Sequence, residues 1–206
     1  MGPIKGALAL LCFFPLLAPA LFAQALDGHY EPIPPAVAPK AHSLKQVTVH
    51  EVFFFGCPHC YELHKQLPAL QAEFGNRLKL VSVPIGWGGH DPGRLLLIAR
   101  RKGPEKEHEV KEMIFNFVHD KGLGKSMFTR DKLQFVAKLT GLSAEFETQM
   151  DDPKIVAQMN DGVAYAQAKG VESTPTLVIQ DSIKVVGADV ANLRKVINSL
   201  LVEPVN

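Results

Sequence analysis

The chain has 206 residues, of which 47% are hydrophobic and 21% charged, so it can bury the core of one domain or of a domain with an insertion. This composition excludes general disorder. The formal net charge is +1, and the sequence contains neither a basic block typical of nucleic-acid binding nor an acidic tail. Charge therefore indicates no class of partner, and we expect no nucleic-acid binding.

The first 25 residues have the pattern of a secretory signal peptide. Lys5 precedes an apolar stretch over residues 7–22, and Ala-Gln-Ala at residues 23–25 has the form of a cleavage site. A retained membrane anchor is disfavoured because the stretch is short and contains two prolines. A lipid anchor on Cys12 is disfavoured because leucine precedes it, where small residues are usual. We expect cleavage of this segment and export to the periplasm.

Two cysteines remain in the mature chain, Cys57 and Cys60, because Cys12 leaves with the signal peptide. Exported proteins commonly use disulfides as structural cross-links. A bridge across two intervening residues closes almost no loop, however, and so constrains the unfolded chain very little. We therefore expect this pair to serve redox chemistry rather than stability.

The segments around the cysteines predict an extended arm, a buried strand and a helix. Residues 26–45 are polar and rich in proline, whereas residues 46–55 (QVTVHEVFFF) are rich in β-branched and aromatic residues. Pro58 suits the first turn of a helix, Pro68 is expected to kink it, and glycine and asparagine at residues 75–76 are expected to end it. The apolar residues with helical spacing in this helix are Leu63, Leu67, Leu70 and Phe74.

The middle of the chain predicts one strand and then a run of helices. The strand is expected over residues 78–83, and a glycine-containing loop follows over residues 85–93. From residue 94 to about residue 150 the pattern is helical. The apolar stripes predicted to form its core contain Met113, Ile114, Phe117, Val118, Leu133, Val136 and Leu139.

The last quarter of the chain predicts a helix, a hairpin and a closing helix. Asp-Pro at residues 152–153 has the form of a helix start, and Gly170 is expected to end that helix. Strands are predicted over residues 176–179 and 183–186, and the closing helix over residues 188–201. With a βαβ unit before the helices, this order predicts an α/β fold interrupted by a helical insertion.

The Cys-Pro-His-Cys segment lies where the predicted strand gives way to the helix. The thiolate is the reactive form of cysteine, and a helix N-terminus favours negative charge because its first N–H groups have no partner. Pro58 holds Cys57 at that end, and His59 adds a donor or a positive charge. Cys60 lies one turn further on, where it can attack a mixed disulfide formed at Cys57. The spacing predicts a thiol–disulfide exchange site.

Three other interpretations of the cysteine pair are weaker. A structural zinc site needs four ligands, and His64 is only a third, with no second cysteine pair or spaced histidine pair. Covalent haem requires histidine directly after the second cysteine, where this sequence has Tyr61. An inert disulfide is disfavoured by its very short loop. We predict neither a metal nor another cofactor.

Residues 53–61 (FFFGCPHCY) resemble the active-site segment of the bacterial periplasmic disulfide oxidoreductases of the DsbA type. The resemblance covers nearly the whole mature chain and implies a thioredoxin fold with an inserted helical domain. It also implies that Cys57 is the exposed nucleophile and Cys60 the buried resolving thiol. The implied boundaries are residues 26–87 and 153–206 for the two halves of the thioredoxin-like domain and residues 88–152 for the helical domain.

Thr174 and Pro175 lie just before the first strand of the predicted hairpin. This position resembles the cis-proline that lies beside the disulfide in thioredoxin-like proteins, although an ordinary trans proline is the alternative. Pro175 would keep an N–H away from the sulfurs, and the Thr174 backbone would pair with an extended substrate. The best-known oxidases of this type carry valine before the proline, whereas threonine resembles the isomerases and some divergent oxidases.

Glu51 lies six residues before Cys57 in the predicted strand, on the same side as Val49 and Phe53. Family members resemble this sequence in carrying an acid here. Because burial penalises an ionised carboxyl, we expect Glu51 to exchange protons with Cys60; the alternative is an edge-strand glutamate that reaches solvent. The histidines assigned to the surface are His29, His42, His90, His108 and His119.

The resemblance implies a dithiol oxidase that passes its Cys57–Cys60 disulfide to reduced, unfolded exported proteins. A membrane quinone-linked partner of the DsbB type would reoxidise it. The alternative is a periplasmic isomerase or reductase, whose known members dimerise through an extra N-terminal domain, whereas only about twenty mature residues precede the first strand here. A non-catalytic binding or chaperone module is a third hypothesis, which the intact cysteine pair disfavours. We expect a monomer.

Overall fold

The computed structural model describes residues 26–87 and 89–202. The predicted signal peptide and its cleavage site lie outside these residues. Within the described part of the chain, every helix is too short or too polar to cross a lipid bilayer.

Five strands form one mixed sheet: β1 (Glu31–Pro32), β2 (Val47–Phe53), β3 (Leu78–Pro84), β4 (Thr176–Ile179) and β5 (Ile183–Val186). Their order across the sheet is β1-β5-β4-β2-β3. The central strand β2 pairs in parallel with β3 and antiparallel with β4, and β4 and β5 form the predicted hairpin. The segment predicted as an extended arm contributes β1, which pairs antiparallel with β5.

The described residues form seven α-helices: α1 (Pro58–Phe74), α2 (Asp91–Arg100), α3 (Pro104–His119), α4 (Arg130–Leu139), α5 (Ser143–Gln149), α6 (Pro153–Ala168) and α7 (Val190–Leu200). Short 3-10 turns follow α1 and α3 in the chain. Helices α2 to α5 lie between β3 and α6 in sequence, which confirms the predicted α/β fold with a helical insertion.

Helix α1 follows the sequence pattern that predicted it. Its apolar stripe is buried against the sheet, and the helix continues through Pro68. It ends at Gly75, whose φ of 55° lies in the left-handed region that glycine adopts without a steric penalty. The Asp152 side chain accepts a hydrogen bond from the Lys154 N–H and so caps α6, as its sequence predicted.

One predicted core position of the helical insertion is wrong. Leu133 and Val136 are buried on α4, but Leu139 is 50% exposed. The buried stripe continues through Ala137, and Leu139 lies six residues after Leu133, well to the side of that stripe. On α3, Met113 and Phe117 are only partly buried, whereas the fully buried aromatic residue is Phe115.

Candidate active site

Cys57 is the N-cap residue of α1 and has extended backbone geometry. Its N–H donates to the Phe54 carbonyl at 3.0 Å, and its own carbonyl accepts from the N–H groups of Cys60 and Tyr61 at 3.1 and 3.2 Å. Its half-buried sulfur therefore lies at the positive end of the helix, as predicted. Pro58 and His59 are exposed in the first turn of α1, so the His59 side chain is open to solvent.

The peptide bond between Thr174 and Pro175 is cis, which confirms that prediction. The Cys57 thiol donates to the Thr174 carbonyl, with 3.2 Å between sulfur and oxygen. Pro175 is buried directly before β4 and has no N–H to offer the sulfur. The fold thus brings the backbone of residues 174–175 to the thiol from 117 residues away in the chain.

The two cysteines lie in contrasting environments although both are free thiols. Cys57 is partly accessible, whereas Cys60 is fully buried one turn into the helix. Burial raises the pKa of the Cys60 thiol, because desolvation disfavours its charged form. An incoming sulfur can therefore reach Cys57, while Cys60 can react only from inside the protein.

Glu51 is 1% exposed, which confirms its predicted burial and excludes the solvent-reaching alternative. Its carboxylate oxygen Oε2 accepts from Lys111 Nζ at 2.5 Å, and the same ammonium donates to Ser82 Oγ at 3.0 Å. Lys111 Nζ also lies 4.1 Å from the centroid of the Phe53 ring. The helical insertion therefore supplies the opposite charge that a buried carboxylate requires.

Lys111 belongs to the site, although it was not among the site residues predicted from the sequence. Lys111 follows the buried Val110 and precedes the buried Ile114 by three residues, so it lies on the buried face of α3. A lysine on an apolar helix face was the available signal, because such a residue usually has a buried partner.

His119 was assigned to the surface, and that assignment is wrong. Its Nε2 lies 2.9 Å from the Phe55 carbonyl; since a carbonyl only accepts, Nε2 must be the donor. The imidazole also stacks on Tyr61, with 5.1 Å between ring centroids and 7° between ring planes. The Tyr61 hydroxyl donates to Asp120 at 2.6 Å, so the end of α3 holds both flanks of the cysteine segment.

His64 is buried rather than arranged as a metal ligand. Its pKa is lowered to about 3, first by desolvation and then by the charges of Lys111 and His108. Within residues 26–87 and 89–202, no group of three or more His, Cys, Asp or Glu side chains could hold a metal ion.

The sequence profile of the family described as Thioredoxin matches residues 42–199. Thiol:disulfide interchange protein DsbA of Pseudomonas aeruginosa is 26% identical over 137 residues, which cover 65% of this chain and 63% of that protein. The protein of the same name from Burkholderia cepacia is 23% identical over 139 residues, covering 68% and 65%. The chain thus spans slightly less than two thirds of the length of these relatives.

Solved structures show the same fold. DsbA from Xylella fastidiosa superposes with a TM-score of 0.70 at 23% identity, covering 86% of this chain and 96% of that one. DsbA from Pseudomonas aeruginosa superposes with a TM-score of 0.62 at 22% identity, covering 76% and 80%. These findings confirm the resemblance to DsbA-type proteins, and the family match shows that the chain belongs to the thioredoxin family.

Proposed function

We propose that the protein is a thiol:disulfide oxidoreductase that oxidises cysteine pairs in exported proteins. The observation that carries this proposal is the placement of a partly exposed Cys57 at the start of α1, beside cis-Pro175 and above the buried Cys60. The names of the matching relatives also support it, because each is a thiol:disulfide interchange protein.

The reaction begins from the Cys57–Cys60 disulfide. A substrate thiolate attacks Cys57 Sγ, the bond between the two protein sulfurs breaks, and Cys60 leaves with the bonding electron pair and takes up a proton. The second substrate thiolate then attacks the substrate sulfur of the mixed disulfide and expels Cys57 as a thiolate. Two electrons pass from substrate to protein, and the substrate gains one disulfide.

The site residues take the following roles in this proposal. Cys57, held at the helix start by Pro58, is the sulfur that the substrate attacks and then the leaving group, and its thiolate is the nucleophile when the dithiol form is reoxidised. His59 adds a donor or positive charge beside it. Glu51 exchanges the proton with Cys60 from its buried position. The backbone of residues 174–175 pairs with an extended substrate next to Cys57.

We also propose the cellular setting that the sequence predicted. Residues 1–25 direct export to the periplasm, where reduced, unfolded proteins are the substrates. A membrane quinone-linked reoxidase of the DsbB type restores the disulfide. The protein acts as a monomer whose helical domain, residues 88–152, separates the thioredoxin-like halves 26–87 and 153–206.

The direct test is oxidation of a reduced, unfolded ribonuclease by stoichiometric disulfide-form protein. We expect substrate thiols to disappear within minutes while two thiols appear on the protein, both counted by mass spectrometry after alkylation. The proposal would be contradicted if the number of free substrate thiols did not fall.

An isomerase or reductase is the second candidate, because Thr174 resembles the threonine that isomerases carry before the cis-proline. The two functions differ in which form is active. An oxidase acts only from its disulfide form, whereas an isomerase requires the dithiol form and rearranges a scrambled ribonuclease without net loss of thiols.

A further inference from the structure

A groove of about 750 Å³ lies between α1 and α3, on the side of the sheet where β3 is the edge strand. Its walls are mainly apolar. The apolar side chains that line it include those of Leu67, Pro68 and Ala72 on α1 and of Pro104 on α3. Neither cysteine nor residues 174–175 line it. The groove is therefore separate from the two sulfurs and the cis-proline, and Glu51 is the one proposed site residue that also lines it.

One side of the β3 backbone faces this groove and pairs with no other strand of the sheet. The N–H of Ile85, just beyond β3, donates to the Phe53 carbonyl of β2 at 2.9 Å. Because backbone groups alternate in direction along a strand, those of Leu78, Leu80 and Ser82 point away from β2, off the edge of the sheet.

Side chains cap both ends of this edge and leave its middle free. The Gln71 side chain donates to the Leu78 carbonyl at 3.0 Å, and the Arg100 guanidinium donates to the Ser82 carbonyl at 2.5 Å. In the part of the chain that the structure describes, nothing bonds to the Leu80 N–H, the Leu80 carbonyl or the Ser82 N–H. These three groups have the spacing that one added strand would satisfy.

The charges that line the groove cancel in pairs. Glu51 is paired with Lys111 at 2.5 Å, and Arg100 is paired with Glu107 at 2.7 Å. One buried side-chain atom of the groove still lacks a hydrogen bond. It is Glu51 Oε1, which has no partner among the described residues. The complementary occupant is neutral and apolar, and it carries one hydrogen-bond donor.

We propose that this groove binds an extended, neutral, apolar segment of an unfolded polypeptide, which adds to the edge of β3 as a sixth strand. One residue of the segment pairs with both backbone groups of Leu80, and an apolar side chain packs between Pro68 and Pro104. A donor from the segment reaches Glu51 Oε1. This binding uses no thiol, so it does not rest on the proposed oxidase activity.

The test uses α-lactalbumin that has been unfolded by reduction and blocked with iodoacetamide, so that the probe has no free thiol. It is titrated into the ¹⁵N-labelled mature protein in its disulfide form. We expect the amide signals of Leu80 and Ser82 to shift and their hydrogen exchange to slow.

Two matched variants locate the binding. Ala72 and Ala69 are both exposed on α1, but only Ala72 lines the groove. We expect Ala72→Trp to raise the Kd for the blocked α-lactalbumin at least tenfold, and Ala69→Trp to change it by less than twofold. The equilibrium of each variant with glutathione should match that of the parent, which separates this proposal from the proposed oxidase function.

Either of two results would overturn the inference. Shifts confined to the surroundings of Cys57 and residues 174–175 would place the probe on the exchange site alone. Shifts of the groove walls without those of Leu80 and Ser82 would indicate a pocket for small apolar molecules. The wild-type amide shifts decide the matter even if Ala72→Trp does not fold.

Discussion

The two parts of the molecule that meet at α1 contribute different kinds of groups to the active site. The thioredoxin-like part contributes the two sulfurs, the buried Glu51 and backbone groups such as the Thr174 carbonyl, which lies 3.2 Å from Cys57 Sγ. The helical insertion contributes side chains that contact this part from α3: Lys111 pairs with Glu51, and His119 donates to the Phe55 carbonyl. In the proposed reaction, the first part therefore carries the exchange chemistry, and the second adjusts the charge and position of the reacting groups.

Replacing either cysteine tests the first half of this comparison and should have the largest effect. Cys57→Ser is expected to abolish oxidation of reduced ribonuclease, because no accessible sulfur remains. Cys60→Ser keeps the accessible thiol of Cys57 but lacks the second thiol. With a substrate that carries a reactive mixed disulfide, it should therefore accumulate a covalent complex that no thiol of the protein resolves. The complex should be visible as a mass increase on a non-reducing gel. A Cys57→Ser variant that retained turnover would contradict the assignment of the nucleophile.

Lys111→Met tests the charge supplied by the helical insertion. It leaves the Glu51 carboxylate buried without its ammonium partner, which costs about 3–5 kcal/mol for pairs of this kind. Chemical unfolding of the disulfide form should show this loss, and Glu51→Gln in the same chain should restore most of it. Lys65→Met is the control, because its pair with Glu62 is exposed and such pairs contribute less than about 1 kcal/mol. An equal effect of both lysine variants would contradict the account.

The pH dependence of the free energy of unfolding tests the burial of His64 between the two parts. Its pKa is about 3 in the folded protein and 6.5 in the reference state, so the unfolded chain takes up the proton first. Its contribution to stability is therefore complete above pH 6.5 and is lost as the pH falls toward 3, by about 2 kcal/mol at pH 5. Unfolding of His64→Leu at pH 7.5 and pH 5 should lack this component. The same pH dependence in parent and variant would contradict the burial of a neutral His64.

His119→Leu should have the smallest effect of the four. It removes the donor to the Phe55 carbonyl, which we expect to lower the free energy of unfolding by about 1 kcal/mol. It should also change the thiol–disulfide equilibrium with glutathione severalfold, because the cysteine segment loses one support. His119→Gln retains a donor and should recover part of both effects. An unchanged glutathione equilibrium in His119→Leu would show that the contact is only structural.

The features that the sequence predicted well depend on local patterns. The strands β4 and β5 have the predicted bounds, because β-branched runs are separated there by a tight turn. Alternation along β2 predicted the burial of Glu51, and the proline and spacing after Cys57 predicted α1.

The features that were missed depend on contacts between distant residues. Lys111 and its partner Glu51 are 60 residues apart, and His119 and Phe55 are 64 residues apart. Neither pair has a spacing that a single sequence can reveal, because each depends on how α3 packs against the sheet and α1. The strand β1 was missed since its two residues are too few to form a pattern.

The reduction potential of the Cys57–Cys60 pair, measured by equilibration in glutathione buffers, tests the oxidase assignment most directly. We expect a value of about −120 mV, the oxidising end of the range for such pairs, because the helix start favours the Cys57 thiolate and so the reduced form. A value of about −270 mV, as in thioredoxin, would contradict the oxidase assignment and indicate a reductant.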